Sequence, residues 1–257
     1  MIEKIIPILN EANNLLINFF NKKQIIKSKA DLSPVSEADM ASHNFITSKL
    51  KDISDIPILS EEDPVDYNIR KNWNEFWLLD PLDGTKEFIN GIGEFSICLA
   101  LIKENKPVLG FITHPTENKI YAAQKGQGIS AYENGEKIPF KISENTEKIA
   151  LVSRFHTTQE TIEFLKKNNI HKTKEIGSAL KFISLSEKTA NIYPRMQGSK
   201  EWDIAAGHLF IEESHKEIID LETLKPPPYN KENLRNNHFI AYDPNMYNIQ
   251  EMLESAK

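Results

Sequence analysis

The stretch Trp77-Leu-Leu-Asp80-Pro-Leu-Asp83-Gly84-Thr85-Lys-Glu-Phe88 is an apolar run that ends on two carboxylates three residues apart. Aspartate is depleted in strands and rarely buried without partners. Two of them, followed by Gly and Thr where a strand from Phe76 to Leu79 breaks off, point to a cation-binding site. Oxygen donors suit Mg²⁺ or Mn²⁺, and Mg²⁺ commonly links a few carboxylates to the phosphates of a substrate. A plain Asp-Gly turn after a strand would show the same local pattern. The choice between the two rests on acidic positions elsewhere in the chain.

Composition narrows the classes of function. The chain has 257 residues, 40% of them hydrophobic, and a net charge of −6, enough for one large core or two smaller ones. No basic stripe marks a nucleic-acid backbone binder. A small phosphorylated ligand remains compatible with the acidic balance, because a bound metal supplies positive charge. The single cysteine, Cys98, lies inside the apolar run Phe95–Ile102 and reads as a small core hydrophobe. One cysteine forms no internal disulfide, in keeping with a reducing compartment. No run reaches the ~18 apolar residues of a membrane span. Glu3, Lys4, Asn10, Glu11 and Asn13 interrupt the N-terminal apolar residues, which excludes a signal-peptide pattern. The chain is therefore expected to be soluble and intracellular. Ile5, Ile8, Leu9, Leu15, Leu16, Phe19 and Phe20 predict an amphipathic helix, with Pro7 tolerable only in its first turn.

The organisation changes near residue 145. Before it, the pattern predicts strands at Gln24–Ser28, Asp55–Ser60, Phe76–Leu79, Glu94–Ile102, Pro107–His114 and Lys119–Gln124, and a helix from Glu37 to about Lys51. A turn is expected at Glu104-Asn105. After it, strands at Ile149–Ser153, Lys174–Gly177 and Ala190–Pro194 alternate with helices at Thr158–Asn168, through Lys188, and from near Trp202. Such alternation predicts a parallel αβ layer, against a largely antiparallel first half. Pro226-Pro227-Pro228 reads as a surface turn.

Several acidic residues share one context, the end of an apolar strand or the start of a helix. Glu61 and Glu62 close Ile56-Pro-Ile-Leu59, and Asp203 follows Glu201-Trp202 and opens Ile204-Ala-Ala-Gly207, a small-residue segment suited to close packing. Asp39, in Ser36-Glu-Ala-Asp39, reads by itself as the far end of a capping box, and Asp203 by itself as a first-turn acid. Together they change the balance. Strand-end carboxylates that converge can hold two divalent ions, and two ions can clamp an in-line phosphoryl displacement. A helix starting at Gly84-Thr85 would aim free N–H groups at a phosphate, and the Thr85 hydroxyl could bridge a nucleophilic water to a carboxylate base.

Leu59-Ser-Glu-Glu-Asp63, Asp80-Pro-Leu-Asp-Gly-Thr85 and Glu201-Trp-Asp-Ile-Ala-Ala-Gly207 resemble, in order and separation, the three signatures of the inositol monophosphatase-like, lithium-sensitive, metal-dependent phosphatases. Ser33-Pro-Val-Ser-Glu-Ala-Asp39, Lys86-Glu-Phe88, Gly93-Glu-Phe95 and Tyr193-Pro-Arg195 are similar to the CysQ branch, whose members are 3′(2′),5′-bisphosphate nucleotidases. The resemblance implies a mixed α+β fold, a two-lobed, layered αβαβα sandwich of the inositol monophosphatase and sugar phosphatase type, with lobes 1–145 and 146–257. It implies hydrolysis of adenosine 3′,5′-bisphosphate, the by-product of sulfate activation and sulfotransfer, to AMP and phosphate. It implies two or three Mg²⁺ ions, or Mn²⁺, on Glu61, Asp80, the carbonyl of Leu82, Asp83 and Asp203, with Asp39 and Thr85 activating water and Glu62 orienting it. The Gly84 and Thr85 amides would hold the scissile phosphate, which also meets the metal-site residues Glu61, Leu82, Asp83 and Asp203. Lys181 and Arg195 are candidates for the second phosphate, against a reading as ordinary surface cations. A monomer or homodimer in the cytoplasm, with peripheral attachment at the inner membrane as in some relatives, completes what the resemblance implies.

Departures from the pattern are a glycine-free Glu212–Thr223, Ile204 where Thr is common, Gly91 where a basic residue is frequent, and Ala179 after Ser178. The nearest alternatives are an inositol monophosphatase, which Lys86-Glu87 disfavours, and a sugar bisphosphatase. An aspartyl-phosphate mechanism of the haloacid dehalogenase type needs its aspartates two residues apart, and the three-residue spacing here rejects it. A non-catalytic metal- or nucleotide-binding regulator is a further alternative, against which Asp39 and Thr85 both stand. His156 and His208 form no ligand-spaced pair and read as structural, so zinc is not expected.

Overall fold

The computed structural model describes residues 1–21, 26–28 and 34–256. Gln24, Ile25 and Ser33 of the expected strand and motif lie outside them. Helix α1 (Ile2–Phe20) is followed by a paired β1 (Ile26–Ser28) and β2 (Pro34–Ser36) and by α2 (Glu37–Ile53). Next come β3 (Ile58–Ser60), α3 (Tyr67–Arg70), β4 (Glu75–Asp83), α4 (Thr85–Ile89), β5 (Ser96–Lys103), β6 (Lys106–His114), β7 (Lys119–Gln124), β8 (Gly128–Glu133) and β9 (Glu136–Ile138). The remainder is β10 (Ile149–Val152), α5 (Gln159–Lys167), β11 (Lys172–Glu175), α6 (Leu180–Ser186), β12 (Ile192–Arg195), β13 (Ser199–Lys200), α7 (Glu201–Glu213), β14 (Glu217–Asp220), β15 (Arg235–Asn236), β16 (Phe239–Tyr242) and α8 (Ile249–Ala256).

The strands from β3 to β9 form one seven-stranded sheet in chain order, antiparallel throughout except for the parallel β3–β4 pair. Its strands are apolar on both faces because both are covered. Phe76, Leu78, Cys98, Ala100 and Ile112 enter one core, and Trp77, Leu79, Ile97, Leu99 and Phe111 enter another. This is the two-residue period of a pleated strand. Helices α1 and α2 close the second face, and α6 and α7 close the first. The five-stranded sheet, ordered β11-β10-β12-β16-β14, takes the other side of α6 and α7 through Leu151, Tyr193, Phe239 and Ala241. Its outer face packs on α5 and α8 through Phe164, Leu165 and Met252. The layers read α, β, α, β, α, as expected. Burying side chains of this size stabilises by roughly 1.5–3 kcal/mol each.

Three expectations need correcting. The smaller sheet is mixed: β11, β10 and β12 are parallel, but β12–β16 and β16–β14 are antiparallel. Only β16 is reversed: β14, reached from β12 through α7, runs parallel to β12, and the chain doubles back after Asp220. Pro7 lies inside α1, beyond its first turn. The ring removes the N–H that would reach the Glu3 carbonyl, a loss confined to one bond near the helix start while the buried face from Ile5 to Leu16 holds the helix. The strand ending at Leu79 in the sequence reading runs on to Asp83. The Glu104-Asn105 turn is present, both residues having positive φ (50° and 60°), as tight hairpins require. No helix among the described residues is long and apolar enough to cross a membrane.

The small residues Ala205-Ala206-Gly207 let α7 lie close to its neighbours. A Cβ at Gly207 would stand 2.2 Å from Phe182 Cδ2 on α6, and one at Gly110 of β6 would stand 3.0 Å from the Ala206 carbonyl. In an open helix Gly→Ala stabilises by about 1 kcal/mol. Gly207→Ala is expected to do the reverse, lowering unfolding free energy by about 1–3 kcal/mol in a denaturant titration, because a packed core resists an added methyl. A stabilised variant would disprove this packing.

Candidate active site

The site is organised by an irregularity in β4. Asp80 pairs with Cys98 and Asp83 with Ser96, so three steps along β4 oppose two along β5. In a regular strand residues i and i+3 point to opposite faces. The extra residue of the bulge restores the phase and sends both carboxylates toward one cavity. Pro81, which has no N–H to donate, occupies the bulge, and the Leu82 N–H donates to Asp80 Oδ1 at 3.0 Å. Ser42 Oγ of α2 donates to the Pro81 carbonyl at 2.8 Å, tying that helix to the bulge. The chain then turns at Gly84 (φ 89°) into α4, and Thr85 Oγ1 donates to the Leu82 carbonyl at 3.1 Å.

Three other elements bring the remaining acids. The Glu61 N–H donates to the Leu79 carbonyl at 3.1 Å, extending the β3–β4 pairing so that Glu61 and Glu62 leave the sheet beside Asp80. His43 Nδ1 of α2 meets Ser60 Oγ at 2.9 Å and fixes the end of β3. Asp39 is buried in the first turn of α2, and Asp203 in the first turn of α7, where its Oδ2 accepts the Lys200 N–H at 2.7 Å. A cavity of about 410 Å³ is lined by Asp39, Glu61, Glu62, Asp80, Leu82, Asp83, Gly84, Thr85 and Asp203. Every residue expected to carry the chemistry opens onto it.

The electrostatics are those of crowded, buried acids. Burial pushes the Asp80 carboxyl well above its ordinary range, and Glu61, Asp83, Asp203 and Asp39 push it further. Burial, then Asp83 and Glu61, raise Asp203 to about 8. Asp83 is raised by burial alone, while Lys181 and the Ala179 N–H hold it back. Among the described residues no three His, Cys, Asp or Glu side chains form a closed coordination set. The donor chemistry nevertheless fits a hard divalent cation: these residues offer only oxygen donors, and their mutual repulsion is relieved by positive charge.

The same cavity also holds cations. Lys181 is only 3% exposed, which corrects its reading as a surface residue. Its Nζ donates to the carbonyls of Ile176 (3.1 Å) and Ser178 (2.5 Å), lies 5.3 Å from the centre of the Tyr193 ring, and is lowered to about 8 by burial against the pull of Asp83. Arg195, at the end of β12, and Lys86 line the same cavity. So does His156, which the sequence reading took as structural. Burial, then Lys86, Arg195 and Lys181, lower it to about 4, so its ring is neutral near pH 7 and offers one N–H and one lone pair. Nothing in the sequence around a lone histidine in a loop signals this position. His208 does belong to the core, with Nδ1 2.9 Å from Tyr229 Oη.

Residues 3–238 match the inositol monophosphatase family. The chain belongs to that family. It is 38% identical over 211 residues to the 3′(2′),5′-bisphosphate nucleotidase CysQ of Escherichia coli K12, covering 81% of this chain and 85% of that one. It is 33% identical over 248 residues to the CysQ of Aggregatibacter actinomycetemcomitans, covering 93% and 91%. The crystal structure of CysQ from Bacteroides thetaiotaomicron, a bacterial member of the family, superposes with a TM-score of 0.81 at 30% identity, covering 94% of this chain and 95% of that one.

The departures from the family pattern fall on different parts of the molecule. The glycine-free Glu212–Thr223 turns through His215 (φ 57°) into β14, so a non-glycine residue takes the left-handed position. Gly91 (φ 73°) has open space around it. Ile204 lines the cavity, and Ala179 places its N–H on Asp83 Oδ2; only these two touch the site.

Proposed function

We propose that this chain hydrolyses the 3′-phosphate of adenosine 3′,5′-bisphosphate, giving AMP and phosphate. The observation that carries the reading is the mixed charge of the cavity: Asp80, Asp83 and Asp203 line it together with Lys181, Arg195 and Lys86. A substrate with two phosphates suits both sets, one phosphate on the acidic, metal-binding residues and the other on the cations. Glu61, Asp80, the Leu82 carbonyl, Asp83 and Asp203 are the donors that would hold two or three Mg²⁺ ions, with Mn²⁺ as a substitute. When bound, such ions neutralise phosphate charge and lower the pKa of water.

The chain supplies the rest. The amides of Gly84 and Thr85, at the start of α4, hold the scissile phosphate. Thr85 Oγ1 passes a proton toward Asp39, turning from the Leu82 carbonyl to do so, and Glu62 orients water beside them. Lys181 and Arg195 lie on α6 and β12 of the segment 146–257, which we take as the nucleotide-specifying lobe, and Lys86 on α4 of 1–145, the lobe with most metal ligands. We take the enzyme to act in the cytoplasm, at or near the inner membrane, as a monomer or homodimer.

Substrate choice tests the reading. With Mg²⁺, purified protein is expected to release phosphate from adenosine 3′,5′-bisphosphate at least about tenfold faster than from inositol 1-phosphate or fructose 1,6-bisphosphate, since a recognised charged group discriminates by at least that factor. A reversed order sinks the nucleotidase assignment in favour of an inositol or sugar phosphatase. No release from any of the three points to a regulator.

A further inference from the structure

The Gly93-Glu94-Phe95 motif has no part in the proposed metal or phosphate chemistry, yet its carboxylate ties the segment before β5 to two residues beyond 145, next to the cavity. Glu94 precedes β5. Its Oε2 accepts the Gly177 N–H at 2.7 Å, and both its oxygens face the guanidinium of Arg154, at 2.9 and 3.0 Å from Nη2 and 3.2 Å from Nε. Both partners come from the segment beyond residue 145. Gly177 is pressed against the same region: a Cβ there would lie 2.6 Å from Glu87 Cγ and 2.7 Å from the Glu94 carbonyl. Ser96 Oγ donates to Ser178 Oγ at 3.2 Å alongside.

Residues 176–179 lie outside any helix or strand, and Ser178 takes a left-handed φ of 47°. A non-glycine residue in that conformation persists only where its surroundings hold it. Two functional positions depend on this loop. Its Ala179 N–H sits on Asp83, and its Ile176 and Ser178 carbonyls hold the Lys181 ammonium. Gly177 lies between those two carbonyl-bearing residues.

We propose that Glu94 is a positioning residue: by sharing its carboxylate between the Gly177 N–H and Arg154, it clamps the 176–179 loop beside Asp83 and sets where Lys181 meets the second phosphate of the substrate. The proposal rests on the nucleotidase reading for the identity of that phosphate. Charge-assisted hydrogen bonds to a fixed loop are strong and geometrically specific, and a displaced loop carries the ammonium with it.

The test compares adenosine 3′,5′-bisphosphate with 3′-AMP, which has the same scissile bond and lacks the second phosphate. In Glu94→Gln, kcat/KM for the bisphosphate is expected to fall about 10- to 100-fold, mainly through KM. The fall for 3′-AMP is smaller, so the ratio drops at least about fivefold, and amide hydrogen exchange at 177–182 accelerates. Arg154→Gln, at a partly exposed position, serves as a second variant and is expected to act in the same direction. The double variant should be no worse than Glu94→Gln, because both act on one contact. An equal fall for both substrates, or unchanged exchange at 177–182, overturns the positioning role. A wild-type enzyme indifferent to the 5′-phosphate overturns the nucleotidase reading alone. The positioning role is then judged on the preferred substrate, where faster exchange with unaltered kcat/KM refutes it.

Discussion

Asp203→Asn is expected to lower kcat/KM about 10³-fold while making the metal-free protein more stable at pH 8. The activity loss follows from the ligand role proposed for this carboxylate. Positive charge held at a phosphoryl centre is worth several kcal/mol, and each 1.36 kcal/mol is a factor of ten in rate. The stability gain follows from the surroundings of the group. Burial and the neighbouring Asp83 and Glu61 raise its carboxyl from 3.8 to about 8 in the folded protein. The unfolded chain ionises near pH 4, whereas the folded chain resists ionisation until about pH 8. The favourable contribution of the protonated group is therefore complete below about pH 4 and lost as pH rises through 8. Asn does not titrate, and its amide oxygen can still accept the Lys200 N–H that Asp203 accepts at 2.7 Å. Melting curves in chelator at pH 5 and pH 8 should show the variant ahead at pH 8 and the gap narrowing at pH 5. Mg²⁺ should raise the wild-type midpoint at pH 8 by binding the native state, and the variant much less. A variant less stable than wild type at pH 8 without metal would contradict the electrostatic account.

The trade between stability and function at Asp203 also explains what could be read from the sequence. Strand-end acids stood out because several separate apolar strands and helix starts carry them, which a plain turn at one place does not explain. Glu61, Asp80, Asp83, Asp203 and Asp39 duly open onto one cavity. The five-layer arrangement came from the family resemblance, and the strands agree with it: Phe76–Leu79 and Ile97–Ile102 are apolar at every position, as in a sheet covered on both faces. The device that makes the aspartates neighbours was not legible. Their spacing alone places them on opposite faces of a strand, and only the pairing with Cys98 and Ser96 reveals the bulge. The buried state of Lys181 was equally hidden, since its ammonium is held by carbonyls of a loop that Glu94 grips from the other half of the chain, and nothing local marks His156 as facing the cavity. The antiparallel return of β16 follows a segment whose left-handed residues are Leu224 and Asn230 rather than glycine, so the glycine signal is missing there.

Thr85→Ala is expected to reduce kcat by about 10²- to 10⁴-fold, the range for loss of a positioned proton-transfer group, while KM and Mg²⁺ affinity change little. The structure separates these effects. The Thr85 side chain is the first of α4, and its Oγ1 donates to the Leu82 carbonyl at 3.1 Å. The carbonyl has a second lone pair for a cation and loses only one partner in the variant. The backbone N–H of residue 85 survives substitution, so the amides proposed to hold the phosphate remain. Gly84, with φ at 89° and the Glu94 carbonyl 3.0 Å from any added Cβ, still fixes the turn. What disappears is the oxygen of the proposed proton path to Asp39. A residual rate carried by phosphate binding and charge neutralisation should remain, as in other enzymes stripped of a proton-transfer group. Thr85→Ser keeps the oxygen and should recover most of kcat. Steady-state kinetics beside calorimetric Mg²⁺ titration measures the pair. Full turnover in the alanine variant with normal metal binding would remove Thr85 from the proton path and leave Asp39 to act on water directly.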